Sequence, residues 1–137
     1  MAYFNKVGLL LLSEDHKKFM VCEKDNFTTD YILPGGRIEE GETDTECLIR
    51  EIREELDVQL DASSLEFIGQ YIDVAAGDHT KDVSIRLYGG KVIGELRPSH
   101  EIISFSWLGR DDLVTDRVSP IIRNKILPDL TVRGIIE

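Results

Sequence analysis

The stretch from Gly35 to Val58, GGRIEEGETDTECLIREIREELDV, constrains the fold of this 137-residue chain more than any other segment. A polar, glycine-rich lead-in runs into a helix predicted over Thr43 to Leu56. Thr43 is a good N-cap, and Glu46, three residues on, completes a capping box. Asp44 and Glu46 fall in the first turn, where the helix dipole favours negative charge. On a wheel of about 100° per residue, Leu48, Ile49, Ile52 and Leu56 gather on one side as a core stripe. Glu51, Glu54 and Glu55 gather on a second side, about 120° away, and Arg53 points to solvent. One face therefore packs, and the neighbouring one carries three carboxylates within a single turn.

Like charges so crowded repel one another. Arg50 offsets part of this by pairing with Glu54, and a hard oxygen-seeking cation would offset more. Mg²⁺ prefers one or two carboxylates plus water and substrate phosphate, which suits this pattern. Gly35 and Gly36 let backbone carbonyls approach a metal, because no side chain obstructs them. The charge balance agrees. The chain carries 26 acidic and 16 basic residues, a net charge of −10. From Gly36 to Val58, nine carboxylates face three arginines, a net of −6 that leaves −4 for the other 114 residues. Such a chain repels long polyanions and anionic membranes, so no long nucleic acid and no membrane partner is expected. A metal site within it would still attract a small phosphate compound.

The remaining sequence predicts strands at Lys6–Leu12 and Phe19–Glu23, read as a hairpin, and at Tyr31–Leu33, stopped by Pro34-Gly35-Gly36. Arg37–Glu40 reads as a short extended piece. Further strands are expected at Leu65–Ala75, Asp82–Val92 and Ile103–Leu108, the last with Phe105 and Trp107 on one face. Ser119 caps a terminal helix that Pro120 opens and Pro128 stops near Leu127. The length fits one domain over residues 1–137. The fold class expected is α/β (α+β), a mixed sheet with helices packed on it. Cys22 and Cys47 read as reduced thiols of a cytoplasmic protein. No signal peptide or membrane span is apparent.

The helix and its lead-in resemble the Nudix hydrolases, whose box is G-x5-E-x7-R-E-U-x-E-E-x-G-U, with U a bulky aliphatic residue. Gly36, Glu42, Arg50-Glu51, Ile52, Glu54-Glu55 and Val58 match, and Asp57 replaces the last glycine. Asp tolerates a left-handed conformation at moderate cost. The flanks Leu33-Pro34 and Trp107–Leu113 are also similar to the family. The resemblance implies a mixed sheet sandwiched between helices. It also implies Mg²⁺-dependent cleavage, with Mn²⁺ as a substitute, of a phosphoanhydride in a nucleoside diphosphate linked to another moiety. Glu51, Glu55 and Glu54, with a carbonyl of Gly35 or Gly36, would hold the metal. Arg50 would orient a glutamate, and Glu42 would pair back toward the helix. The general base differs among relatives, and Glu51, Glu54 or a late-loop glutamate, here Glu101, could serve. Many relatives form homodimers.

Other readings are a non-catalytic Nudix-fold nucleotide sensor, or a Ca²⁺ protein, the latter disfavoured because the carboxylates lie on a helix. The asparagine with which MutT-type relatives read an oxidised guanine is Val118 here, which argues against that specificity. His16, His79 and His100 read as surface residues. Phe27, Tyr31 and Tyr71 read as core packing or base stacking, and Cys47 as a buried filler.

Overall fold

The computed structural model describes residues 2–24, 30–100, 102–109 and 118–136. Among the described residues, six strands and two helical segments follow in order: β1 Phe4–Leu10, β2 Lys18–Lys24, β3 Gly35–Arg37, α1 Asp44–Leu56, β4 Gln59–Ala75, β5 Asp78–Ile93, β6 Ile102–Gly109 and a C-terminal helix ending in α2, Leu127–Val132. The larger sheet runs β3-β1-β5-β4, and β2 pairs with β6 beside it. β1 is parallel to β5 and antiparallel to β3, so the sheet is mixed.

Period-two alternation sends successive side chains to opposite faces. Val7, Leu9, Met20 and Cys22 join Leu48, Ile52 and Leu56 in the core beneath α1. Phe4, Leu10, Phe19, Val21, Ile85 and Leu87 join Ile122, Ile126 and Leu130 beneath the C-terminal helix. The sheets thus lie between helices, as the α+β expectation requires. Phe105 and Trp107 pack together on the α1 side.

Three details differ from the sequence reading. The β1–β2 hairpin survives only at its tip, where Leu12 bridges Phe19. Beyond it the strands part into different sheets, because β1 finds a better-matched parallel partner in β5 over seven residue pairs. Gly35 and Gly36 do not end a strand but form one. They pair with Gly8 and Val7, and a Cβ on Gly35 would lie 2.1 Å from the Val7 carbonyl oxygen. Pro128 does not stop the last helix. The turn Ile122–Ile126 is π-wound, with the Leu127 N–H bonded back to the Ile122 carbonyl. Pro128 then occupies the first turn of α2, where its missing N–H is tolerated.

Candidate active site

Thr43 and Glu46 form the capping box, with hydrogen bonds of 3.1 and 2.9 Å. Asp44 does more than complement the dipole. Its carboxylate takes a bidentate pair from Arg86 at 2.7 and 2.8 Å and a third bond from the Tyr88 hydroxyl at 2.7 Å. These contacts hold the start of α1 against β5. At the other end, Asp57 is left-handed at φ 54° and ψ 39°. The N–H groups of Arg97 and Ser99 meet the carbonyls of Leu56 and Glu55. Both ends of the helix are fixed, and so is the rotation of its carboxylates.

That rotation separates the three glutamates. Glu51 and Glu55 are buried, while the Glu54 side chain stays 46% exposed. Ile49, expected in the apolar stripe, lies at its edge and is 38% exposed. Glu55 Oε1 accepts the Gly35 N–H at 2.8 Å, and Oε2 pairs with Lys24 Nζ at 3.1 Å but makes no well-directed hydrogen bond. Burial raises the Glu55 pKa to about 7, against the opposing pull of Lys24. Burial also raises that of Glu51, which Arg50 opposes.

Arg50 is the hub of the polar network. Its Nε and Nη2 donate to Glu42 at 2.7 and 2.9 Å, and its Nη1 donates to Glu51 at 2.7 Å. The same Nη1 lies 3.7 Å from Glu54, a looser contact. Hydrogen bonds from Arg50 hold the Glu42 carboxyl down at about 2. Glu42 also accepts the Glu39 N–H, which closes the loop before the helix. Cys47 is buried, and desolvation pushes its thiol up to about 12, the condition of an inert filler.

Gly35 and Gly36 bring β3 against this face. A Cβ on Gly36 would lie 2.5 Å from the Glu51 carboxyl carbon, so a larger residue there would displace the Glu51 carboxylate from the position in which Arg50 holds it. The Gly36 carbonyl is turned toward α1, 3.8 Å from Cys47 Sγ. Among the described residues no three acidic, histidine or cysteine side chains already converge as a metal cage. Arg50 and Lys24 hold the carboxylates in separate ion pairs instead. The fit to a cation rests on the two buried carboxylates one helical turn apart and on the Glu55 oxygen without a directed hydrogen bond. Glu101, Phe27 and residues 110–113 lie outside the described residues.

Beside Glu51 opens a cleft of about 470 Å³ lined by Lys6, Lys24, Gly36, Arg37, Ile38 and Glu39. An apolar cavity adjoins it, walled by Phe4, Ile32, Val83, Ile85 and Ile121. The Ser119 hydroxyl is buried at its wall without a hydrogen-bond partner, so it does not cap the helix as expected. As residues lining the site, Lys6, Lys24, Arg37 and Ser119 escaped the sequence reading. A lysine in register with Phe4, Gly8 and Leu10 is the signal that marks Lys6. Tyr71 is not at the site: its hydroxyl donates to Asp129 at 2.6 Å and ties β4 to α2. The three histidines are exposed.

The family model of the NUDIX domain matches residues 2–130. The chain belongs to the Nudix family. A Nudix chain this short spans 64% of a curated relative, an RNA pyrophosphohydrolase from Cereibacter sphaeroides, at 29% identity over 108 residues, or 79% of this chain. The MutT protein of Methanosarcina mazei Go1 superposes with a TM-score of 0.78 at 20% identity, over 97% of this chain and 96% of that one. The E. coli ORF135 protein gives 0.72 at 17% identity, over 95% and 90%. At these identities the two structures show the shared Nudix fold.

Proposed function

We propose that this protein is a divalent-metal-dependent pyrophosphohydrolase of small nucleotide-type diphosphates. The observation that carries the reading is the pair Glu51 and Glu55, buried one turn apart on α1 and facing the Gly35-Gly36 strand beside a cationic cleft. Glu51, Glu55 and Glu54, with the Gly36 or Gly35 carbonyl, would hold Mg²⁺ or Mn²⁺. When bound, the metal neutralises phosphate charge and acidifies a coordinated water.

The chain's own groups do the rest. Arg50 keeps Glu51 aimed at the cleft and anchors the loop through Glu42. Water attacks phosphorus, the P–O anhydride bond breaks, and the departing phosphate takes the electron pair. Glu54, half-exposed and only loosely held by Arg50, takes the proton from that water. Lys24 and Arg37 offset the charge of the bound phosphates.

The relative named RNA pyrophosphohydrolase supports adding RNA to the candidate substrates. There the long polyanion would remain outside and only its terminus would enter. The buried thiols suit a reducing compartment such as the cytoplasm. No described helix is long and apolar enough to cross a membrane.

The test is hydrolysis of nucleoside triphosphates, ADP-ribose, nucleotide sugars, dinucleoside polyphosphates and 5′-triphosphorylated RNA with Mg²⁺ or Mn²⁺, with products identified. Turnover of at least one compound, with cleavage between phosphates, is expected. Tight binding without turnover at any metal would replace the enzyme by a sensor.

A further inference from the structure

Two arginines near the helix α1 spend their N–H groups on carboxylates. Arg50 donates to Glu42 and Glu51, and Arg86 donates to Asp44. Arg37 is held differently. Its guanidinium carbon lies over the Phe4 ring, 4.4 Å from the ring centre. Among the described residues no hydrogen bond or ion pair takes its side-chain N–H groups.

The strand register explains the stacking. Arg37 on β3 pairs directly with Lys6 on β1. Directly opposed residues of an antiparallel pair project to one face, and like charges there repel. Phe4 lies two residues before Lys6 on β1 and shares its face. Both cations use its ring: the Lys6 ammonium lies 5.9 Å from the same centre. The ring is a fixed support, because Phe4 is buried and Tyr3 packs on it edge-to-face at 4.7 Å. The Arg37 backbone is fixed as well, since its carbonyl accepts a hydrogen bond from Arg50 Nη2 at 3.2 Å.

The mode of attachment decides what the guanidinium can still do. An aromatic ring meets the flat face of a guanidinium, whereas the N–H donors point outward in its plane. A carboxylate would occupy that edge, and a ring leaves it to a ligand. Arg37 lines the cleft together with Lys24 and Glu51, and Phe4 stands behind it in the core.

We propose that Phe4 is a positioning residue: its ring holds the Arg37 guanidinium by the face, so that the N–H edge binds the diphosphate of the substrate in the cleft. This rests on the pyrophosphohydrolase reading for the ligand. Arg37 is then a binding residue, and Phe4 acts only through it.

The experiment titrates the full chain with imidodiphosphate and Mg²⁺ by calorimetry. This pyrophosphate analogue has a P–N–P bridge that resists hydrolysis. Arg37→Met, at an exposed position, should weaken binding by about tenfold or more. Phe4→Leu should weaken it by about three- to tenfold, and Phe4→Tyr, which keeps the ring, should stay within about twofold of wild type. In the Arg37→Met background, Phe4→Leu should weaken binding no further. If Phe4→Leu does not fold, the Arg37 Nε–H signal of the wild-type protein decides by NMR. A rigid signal that shifts on adding the analogue supports the proposal, and a mobile or unmoved one overturns it.

A loss on Phe4→Leu that persists without Arg37 makes Phe4 a packing residue and overturns its positioning role. Equal binding by Phe4→Leu and wild type does the same. Equal binding by Arg37→Met, or no binding by a wild type that turns over the substrate panel, overturns the whole proposal and leaves the hydrolase reading intact. Binding that depends on both residues, without turnover of any substrate, would keep the proposal and sink the hydrolase reading instead.

Discussion

Glu55 shows how much depth alone can change a carboxylate. In sequence it is one of three similar glutamates, but in the fold it is 1% exposed and its pKa rises to about 7. The folded protein then holds more protons than the unfolded chain between pH 4.5 and 7, because the unfolded pKa is near 4.5. Stability of the metal-free protein is therefore present below that window and is lost as pH rises through it, by on the order of 3 kcal/mol. Urea unfolding across this range should show that fall, and Glu55→Gln should flatten it. The same variant should lower turnover by orders of magnitude with the fold retained, and a kcat within a few-fold of wild type would overturn the metal-binding role proposed for Glu55. Ser119 makes a second residue-scale case. Its hydroxyl is buried and unpartnered, so Ser119→Ala should leave thermal stability unchanged or slightly higher. If substrate hydrogen-bonds there, KM rises several-fold while kcat holds. Equal KM for both proteins would make the serine a packing residue only.

At the scale of elements, α1 was legible almost entirely, from its capping box to its left-handed end. Local rules decide those features: a side-chain oxygen beside free N–H groups, and a residue that tolerates positive φ. Asp57→Gly should add about 1 kcal/mol of stability by relieving the left-handed strain, without changing activity. Thermal melts of the two proteins check this. What local rules could not show is that Asp44 bonds to Arg86 and Tyr88, 42 and 44 residues away. Asp44→Ala should cost about 1–3 kcal/mol in chemical denaturation, more than an exposed first-turn acid would. It should also reduce turnover, because α1 would lose its anchor on β5. The β1–β2 hairpin failed for the same non-local reason. A polar turn between apolar runs is compatible with a hairpin or with two strands that diverge, and the pairing with β5 decides.

For the molecule as a whole, the site lies where α1, the Gly35–Arg37 strand and the first two strands of the chain meet. The sequence by itself determined the chemistry available, because carboxylates at fixed helical spacing, a glycine pair and an Arg-Glu dipeptide are properties of adjacent residues. It determined the α+β class through the periods of its apolar residues, and it concentrated the negative charge in one segment. Only the tertiary structure decided which carboxylates are desolvated, since burial depends on what packs over them. It likewise decided that Lys6, Lys24 and Arg37 share one cleft with Glu51, and that Ser119 buries its hydroxyl at an apolar wall. Lys6 and Arg37 are 31 positions apart yet opposite each other on paired strands. Such proximity comes from strand pairing and helix docking, free-energy contests among distant segments that no local pattern encodes.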